Sequence, residues 1–343
     1  MSRAAVLAVD GGNSKTDLTL VAADGSVLSL VRGPLGSPHH LGIKGCLVVL
    51  EELLASAAEE AGLDGHAGRD VEVASLLMAG VDFPREEEAL REAIEERGWA
   101  QRVRVGNDTF AVLRAGTERG WGVAVTCGAG INCVGVSPDG RHARFPALGA
   151  ITGDWGGGYD VGLEAVSAAA RSEDGRGPST SLEQSVPAHF GFAKPMELAE
   201  AIHTGRVDQR RVIELAPLVL SEAADDTVAA QIVERLGSEV VALARVALTR
   251  LGLTGEPVEV LLGGGVLQDA NGDLLSAIDS ELRKIAPEAT VRPTASPAIV
   301  GAALLGLDEL KAGPDAQDRL RSELGDAFAR IEGANFERRQ VVE

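Results

Sequence analysis

A repeated layout constrains this chain more than any other feature. A short apolar run (residues 5–9) enters the glycine-rich loop Asp10-Gly11-Gly12-Asn13-Ser14-Lys15-Thr16-Asp17, a second run (18–22) returns, and Asp24-Gly25 turns the chain into residues 27–31. The same order recurs later: residues 122–126, the loop Cys127-Gly128-Ala129-Gly130-Ile131-Asn132, residues 133–136, the turn Asp139-Gly140, and a third segment near 141–145. Either loop alone reads as an ordinary hairpin, since Asp-Gly and Gly-Gly are common turn dipeptides. Two of them in matching surroundings predict two related lobes facing each other, each offering backbone amides to one phosphate chain.

Helices alternate with strands after each meander, which implies a parallel extension of each sheet. Residues 46–61 have helical apolar spacing with Glu51, Glu52, Glu59 and Glu60 turned outward. Residues 71–79 read as a buried strand, 85–97 as an amphipathic helix ended by Gly98, and 103–106 as a strand leading to Asn107-Asp108-Thr109. In the second half, Thr152-Gly153-Asp154-Trp155-Gly156-Gly157-Gly158 precedes a helix at 159–171. Mostly helical sequence follows and ends in a long helix at 227–251, then a buried strand at 258–262 runs into Gly263-Gly264-Gly265. A helix at 274–285, a strand at 290–292, a small-residue helix at 297–307 and a tail helix at 315–331 complete the chain. With 343 residues and 45% apolar content, two cores are expected. They divide as a first lobe at 1–116, a second lobe with helical insertions at 117–310, and a C-terminal helix at 311–343 that packs back on the first lobe.

Asp108 has two readings. It is an N-cap, a common use of Asp ahead of a helix, or it accepts the proton of a hydroxyl that attacks a phosphoryl group; the paired loops favour the second. Asp10, at the end of the first strand, either shapes the turn or, with Asp108, holds a hydrated magnesium ion through carboxylate oxygens. Ser14, Lys15 and Thr16 can assist with phosphates, and Lys15 reads equally well as a solvated turn residue. Gly263, Gly264 and Gly265 allow the close approach of an adenosine group or form a plain helix entry. Asp154 is a turn former or a partner for sugar hydroxyls. Trp155 is an apolar wall or core, and His39 and His40 lie in a Gly/Pro-rich loop.

The 32 basic and 51 acidic side chains give a net charge of −19, which disfavours a nucleic-acid partner. Glu86-Glu87-Glu88 and Glu95-Glu96 read as a solvated acidic surface. Cys46, Cys127 and Cys133 show neither a disulfide framework nor zinc-ligand spacing, and fit a reducing cytoplasm as small buried residues. The first apolar run stops at Asp10, too short for a signal peptide, and no apolar stretch is long enough to span a bilayer.

The first loop with its opening Asp, the Asn107-Asp108 step, the second loop ending in Asn132, Gly153-Asp154 and the late triple glycine together resemble the actin-like ATPase superfamily. Within it, the chain resembles the BadF/BadG/BcrA/BcrD ATPase family, in the branch that contains N-acetylglucosamine kinases. The resemblance implies an α/β fold of two actin-like, ribonuclease H-like lobes, each a mixed sheet with a βββ meander plus βα extensions, and a ligand cleft between them. It also implies ATP and Mg2+ as cofactors, a small-molecule sugar substrate and a homodimer. Asp108 matches the base; residues 10–16, Gly128, Ala129, Gly130 and Gly263 to Gly265 match the nucleotide segments. Ser37, His39, Asp108, Asn132, Gly149 and Asp154 match the sugar contacts. Three positions depart from the kinase pattern: Ala129 where threonine is usual, Ser37-Pro38-His39 where asparagine is typical, and Trp155 in place of an acidic residue. The implied activity is phosphorylation of a primary hydroxyl on an amino sugar; the same family implies, as alternatives, an ATPase that activates a radical dehydratase through a shared iron-sulfur cluster. A nucleotide-binding sensor without turnover is a third expectation.

Overall fold

The computed structural model describes residues 3–63 and 71–340, so the outermost residues of the expected 1–116 and 311–343 segments lie outside the described residues. The chain divides into two compact units, Met1–Gly120 with Ser296–Glu343 (unit 1) and Trp121–Ala295 (unit 2). Unit 1 begins with the meander β1 (Ala4–Gly11), β2 (Lys15–Ala22) and β3 (Val27–Pro34). It continues through α1 (Pro38–Glu60), β4 (Val73–Met78), α2 (Pro84–Arg97), β5 (Arg102–Asn107) and α3 (Thr109–Gly116). The sheet runs β3-β2-β1-β4-β5, antiparallel through the meander and parallel from β1 to β5. Strand alternation makes the layers. Leu7 and Val9 pack with Leu50 of α1 and Leu90 and Ile94 of α2, while Val6 and Ala8 enter a separate core on the other face.

Unit 2 repeats that plan. Its meander is β6 (Gly122–Cys127), β7 (Ile131–Val136) and β8 (His142–Arg144). The helical insertion follows as α4 (Gly157–Glu173), α5 (Leu182–His189), α6 (Pro195–His203), α7 (Ala216–Glu222) and α8 (Thr227–Leu251). Then come β9 (Glu259–Gly263), the single turn α9 (Gly265–Gln268), α10 (Gly272–Arg283) and β10 (Thr290–Pro293). The order β10-β9-β6-β7-β8 is the order of the first sheet with the corresponding strands in corresponding places. Asp226 caps α8 by accepting the Val228 and Ala229 amides at 2.9 and 2.8 Å, and Gly252 (φ 70°) ends it.

The chain then returns to unit 1 as α11 (Ala298–Glu309) and α12 (Pro314–Gln340). Residues 296–310, assigned by sequence to the second lobe, thus pack in unit 1. A Cβ on Gly301 of α11 would fall 1.8 Å from the Ala111 carbonyl oxygen of α3, an approach that only glycine permits. Arg114 of α3, 4% exposed, fastens both helices: it donates to Asp308 at 2.8 and 3.0 Å and to Gln317 at 2.8 Å. Arg321 of α12 returns the contact by donating to the carbonyls of Ala115 and Thr117 at 2.6 and 2.9 Å. Breaking a buried charged network costs about 3–5 kcal/mol. Asp308 is exposed enough to rehydrate, so Arg114→Met is expected to lower the unfolding free energy by about 3 kcal/mol in a urea melt; a loss under about 0.5 kcal/mol would contradict this anchoring role.

One local detail differs from the sequence expectation. His39 and His40, read as loop, lie in the opening turn of α1, where Pro38 starts the helix and Gly42 (φ 65°) interrupts it. No described helix is long and apolar enough to cross a membrane.

Candidate functional site

In unit 1 the candidate residues gather at the carboxyl ends of β1, β4 and β5. The β1–β2 turn is closed by the Gly12 amide donating to the Lys15 carbonyl at 2.9 Å, and a Cβ on Gly12 would meet that same oxygen at 2.9 Å. A Cβ on Gly11 would strike the Met78 side chain at 2.3 Å. At Gly12 the backbone itself leaves little room for a side chain, and the turn leaves Asn13, Ser14 and Lys15 exposed. Thr16 is fully buried against Gly36. Lys15 and Arg32 both lie over the Phe328 ring of α12, at 5.3 and 4.8 Å from its centroid.

Asp10 sits at the tip of β1 beside two other carboxylates. Burial pushes its pKa up from 3.8 to about 8, with the charges of Asp108 and then Asp17 adding to the rise and Lys15 and Arg32 opposing it. Asp108 stands between β5 and α3, and its side chain makes no capping hydrogen bond. Burial pushes its pKa to about 6, against the pull of the neighbouring Thr109. Among the described residues no group of three or more His, Cys, Asp or Glu side chains is arranged to hold a metal. A hydrated magnesium ion needs less, one or two carboxylates with water and phosphate oxygens. Burial, with the neighbouring charges of Asp108 and Asp17 adding to it, raises the Asp10 pKa to about 8, and a cation beside these carboxylates would offset both effects.

Ser37 and His39 reach the end of β4 from α1. The Ser37 hydroxyl, fully buried, donates to the Ala79 carbonyl at 2.9 Å. Its hydroxyl hydrogen is thereby taken up within the protein. His39 is exposed, and a Cβ on Gly80 (φ 74°) would fall 2.5 Å from its Cβ.

In unit 2 three glycine segments converge. The Gly128 amide donates to Gly130 at 3.0 Å, and the carbonyls of Gly128 and Ala129 accept from Gly158 and Tyr159 at 2.8 and 2.9 Å. The first turn of α4 thus clamps the loop through backbone alone, so alanine at position 129 leaves the clamp intact. Gly157 (φ 74°) has no room for a side chain, since a Cβ would fall 2.4 Å from the Gly130 oxygen. Gly264 (φ 86°) presses against the other end, its would-be Cβ 2.3 Å from the Cys127 oxygen. Gly264→Ala combines a left-handed backbone with that clash; about 2 kcal/mol of destabilisation is expected, read as a lower urea midpoint at unchanged m. An unchanged midpoint would mean the loop has an alternative path.

Asp154 accepts from the Thr152 hydroxyl, and its amide donates to Gly149 at 3.0 Å. Gly149 (φ 61°) is thus the hub of the turn that presents Asp154. Trp155 packs on the unit 2 core, with the Arg235 guanidinium 4.0 Å from its ring centroid. The Asn132 side chain accepts from the Cys133 amide at 2.7 Å.

Sequence reasoning missed the ladder beside Asp10. Asp10, Asp17 and Arg32 are successive cross-strand partners on β1, β2 and β3, and Arg32 grips the buried Asp17 at 2.6 and 3.0 Å. The signal was present, since pairing Gly11 with Thr16 sets Asp10 opposite Asp17. The Asp82–Asn107 contact, 2.9 Å, was missed as well and had no local signal.

The sequence profile of one family matches residues 7–306, from β1 into α11. The chain belongs to the BadF/BadG/BcrA/BcrD ATPase family. Among relatives, it is 29% identical over 273 residues to the N-acetylmuramic acid/N-acetylglucosamine kinase of Clostridium acetobutylicum, an alignment covering 78% of this chain and 86% of the relative. It is 25% identical over 328 residues to the N-acetyl-D-glucosamine kinase of Dictyostelium discoideum, covering 91% and 100%. A solved structure from Chromobacterium violaceum, provisionally named an N-acetylglucosamine kinase, superposes with a TM-score of 0.71 at 24% identity and covers 89% of this chain and 100% of that one. The two five-stranded mixed sheets of this chain thus match the fold of that structure.

Proposed function

We propose that this protein is an ATP-dependent sugar kinase that phosphorylates the primary hydroxyl of an amino sugar, N-acetylglucosamine or glucosamine, with Asp108 as general base. One observation carries the reading: the Asp108 carboxyl stands at the sheet edge without a capping bond, its pKa raised to about 6 by burial, where a proton acceptor works near neutral pH. Family membership and the kinase names of two relatives support it. In the proposed step the hydroxyl oxygen bonds to the γ-phosphorus, the bond from that phosphorus to the β–γ bridging oxygen breaks, ADP leaves with the electron pair, and the hydroxyl proton passes to Asp108. The loops at residues 11–14 and 128–130 border the phosphates, Gly263 to Gly265 border the adenosine, and His39, Asn132, Gly149 and Asp154 hold the sugar. Bound magnesium, held by Asp10 with Asp108 beside it, would neutralise the triphosphate charge.

The reading as a cluster-bearing dehydratase activator needs accessible thiolates. Cys46, Cys127 and Cys133 are all buried, and burial pushes the thiols up, to about 12 at Cys46 and Cys127. The test is coupled ADP release from magnesium-ATP against a panel of hexoses, hexosamines and their N-acetyl forms. Release that depends on one amino sugar is the expected result; turnover indifferent to every sugar would defeat the kinase reading.

A further inference from the structure

We propose that Asp82 is a positioning residue for Asp108, acting through Asn107. The proposal rests on the kinase reading above. Parallel pairing sets Met78 of β4 beside Asn107 of β5, so the chain leaving β4 through Gly80 passes the end of β5 just ahead of the base. Asn107, 5% exposed, uses both ends of its carboxamide. Its Oδ1 accepts the Thr109 amide at 3.0 Å, a bond that spans Asp108, and its Nδ2 donates to Asp82 Oδ1 at 2.9 Å. The chemistry fixes that orientation: an amide N–H requires the oxygen, which leaves the NH2 end for the carboxylate. Asp82 is itself held, because its own amide and that of Phe83 donate to Glu86 Oε2 at 2.9 and 3.0 Å.

The consequence is backbone geometry. A side chain that bonds the amide two residues on closes a turn around the residue between, and here that residue is Asp108, at φ −59° and ψ −25°. Its carbonyl accepts from Ala111 at 2.9 Å and so starts α3. Removing the Asp82 carboxylate takes away the charged acceptor that orients the carboxamide, and the bond to Thr109 weakens with it. Asp108 then loses its fixed aim at the attacking hydroxyl.

The experiment compares Asp82→Ala with Asp82→Asn, whose side-chain oxygen still accepts from Asn107. Asp82→Ala is expected to lower kcat about 100-fold, as a displaced catalytic group does, with KM for sugar and ATP within about threefold of wild type. Asp82→Asn is expected to recover most of that loss. Hydrogen exchange supplies a readout independent of turnover: amides of residues 109–112 should exchange faster in Asp82→Ala and return towards wild type in Asp82→Asn. Wild-type kcat in Asp82→Ala, or equal losses in both variants that follow a fall in melting temperature, overturns the proposal and makes Asp82 an anchor of α2. A wild-type protein that phosphorylates no sugar defeats the kinase reading instead. Exchange then decides the relay, supported by acceleration in Asp82→Ala alone and overturned by unchanged rates.

Discussion

Asp108→Asn is expected to lower sugar-dependent kcat by about 1,000-fold, within the range that general-base catalysis supplies, while the protein still folds and binds nucleotide. The amide matches the carboxylate in shape, so α3 keeps its start and Asn107 keeps its bond to Thr109. What is lost is a proton acceptor whose pKa burial has raised to about 6. The sign of the pH dependence follows. The base works only when deprotonated, so wild-type kcat/KM should fall as pH drops through about 6. In Asp108→Asn that acid limb should vanish from the residual rate. Steady-state ADP release between pH 5 and 8, with nucleotide binding followed by titration calorimetry, separates the outcomes. A variant that keeps wild-type turnover would remove Asp108 from the chemistry. One that loses nucleotide binding and turnover together would make it a binding residue.

The duplication was legible because its signals are local. Asp24-Gly25 and Asp139-Gly140 sit at the hairpin ends, and the strands read as apolar runs whose partners are neighbours in sequence. The parallel extension of each sheet followed, since short crossovers through helices leave few topologies. The location of α11 was not legible. Its small residues suit burial in either lobe, and tertiary contacts such as those of Gly301 with Ala111 and Asp308 with Arg114 decide. The partner of Ser37 was hidden for a related reason: nothing in Ser-Pro-His tells that its hydroxyl donates to the Ala79 carbonyl, 42 residues away in the chain. Asp10 and Asp108 stood out in the sequence because they lie at strand ends. The groups that hold them, Arg32 on Asp17 and Asp82 on Asn107, lie on other strands and turns, and pairing across a sheet is not written in either segment alone.

The ladder that carries Asp10 leads to an expectation about stability. The Asp10 pKa is raised in the folded protein to about 8 from an ordinary 3.8, so between those values the folded state holds a proton that the unfolded state has released. Stability contributed in this way is present in full below about pH 4 and is lost as pH rises through about 8, at a slope of about 1.4 kcal/mol per pH unit for one proton. Asp108 adds to the slope up to about pH 6. The ceiling for Asp10 is roughly 6 kcal/mol, and solvent at the partly open edge of the loop reduces it to about 2–3 kcal/mol. The protein without ligands should therefore melt at a lower temperature at pH 8 than at pH 5.5, and Asp10→Asn should flatten that dependence because its side chain carries no charge to bury. Magnesium-ADP should act in the opposite sense. A cation at the carboxylate replaces the proton, so the stabilisation it gives should grow as pH rises. Thermal melts of wild type and Asp10→Asn at pH 5.5, 7 and 8, with and without magnesium-ADP, measure both effects. If Asp10→Asn kept the full wild-type slope, Asp10 would not be the group that holds the proton; if magnesium-ADP stabilised both proteins equally at every pH, the cation would bind elsewhere.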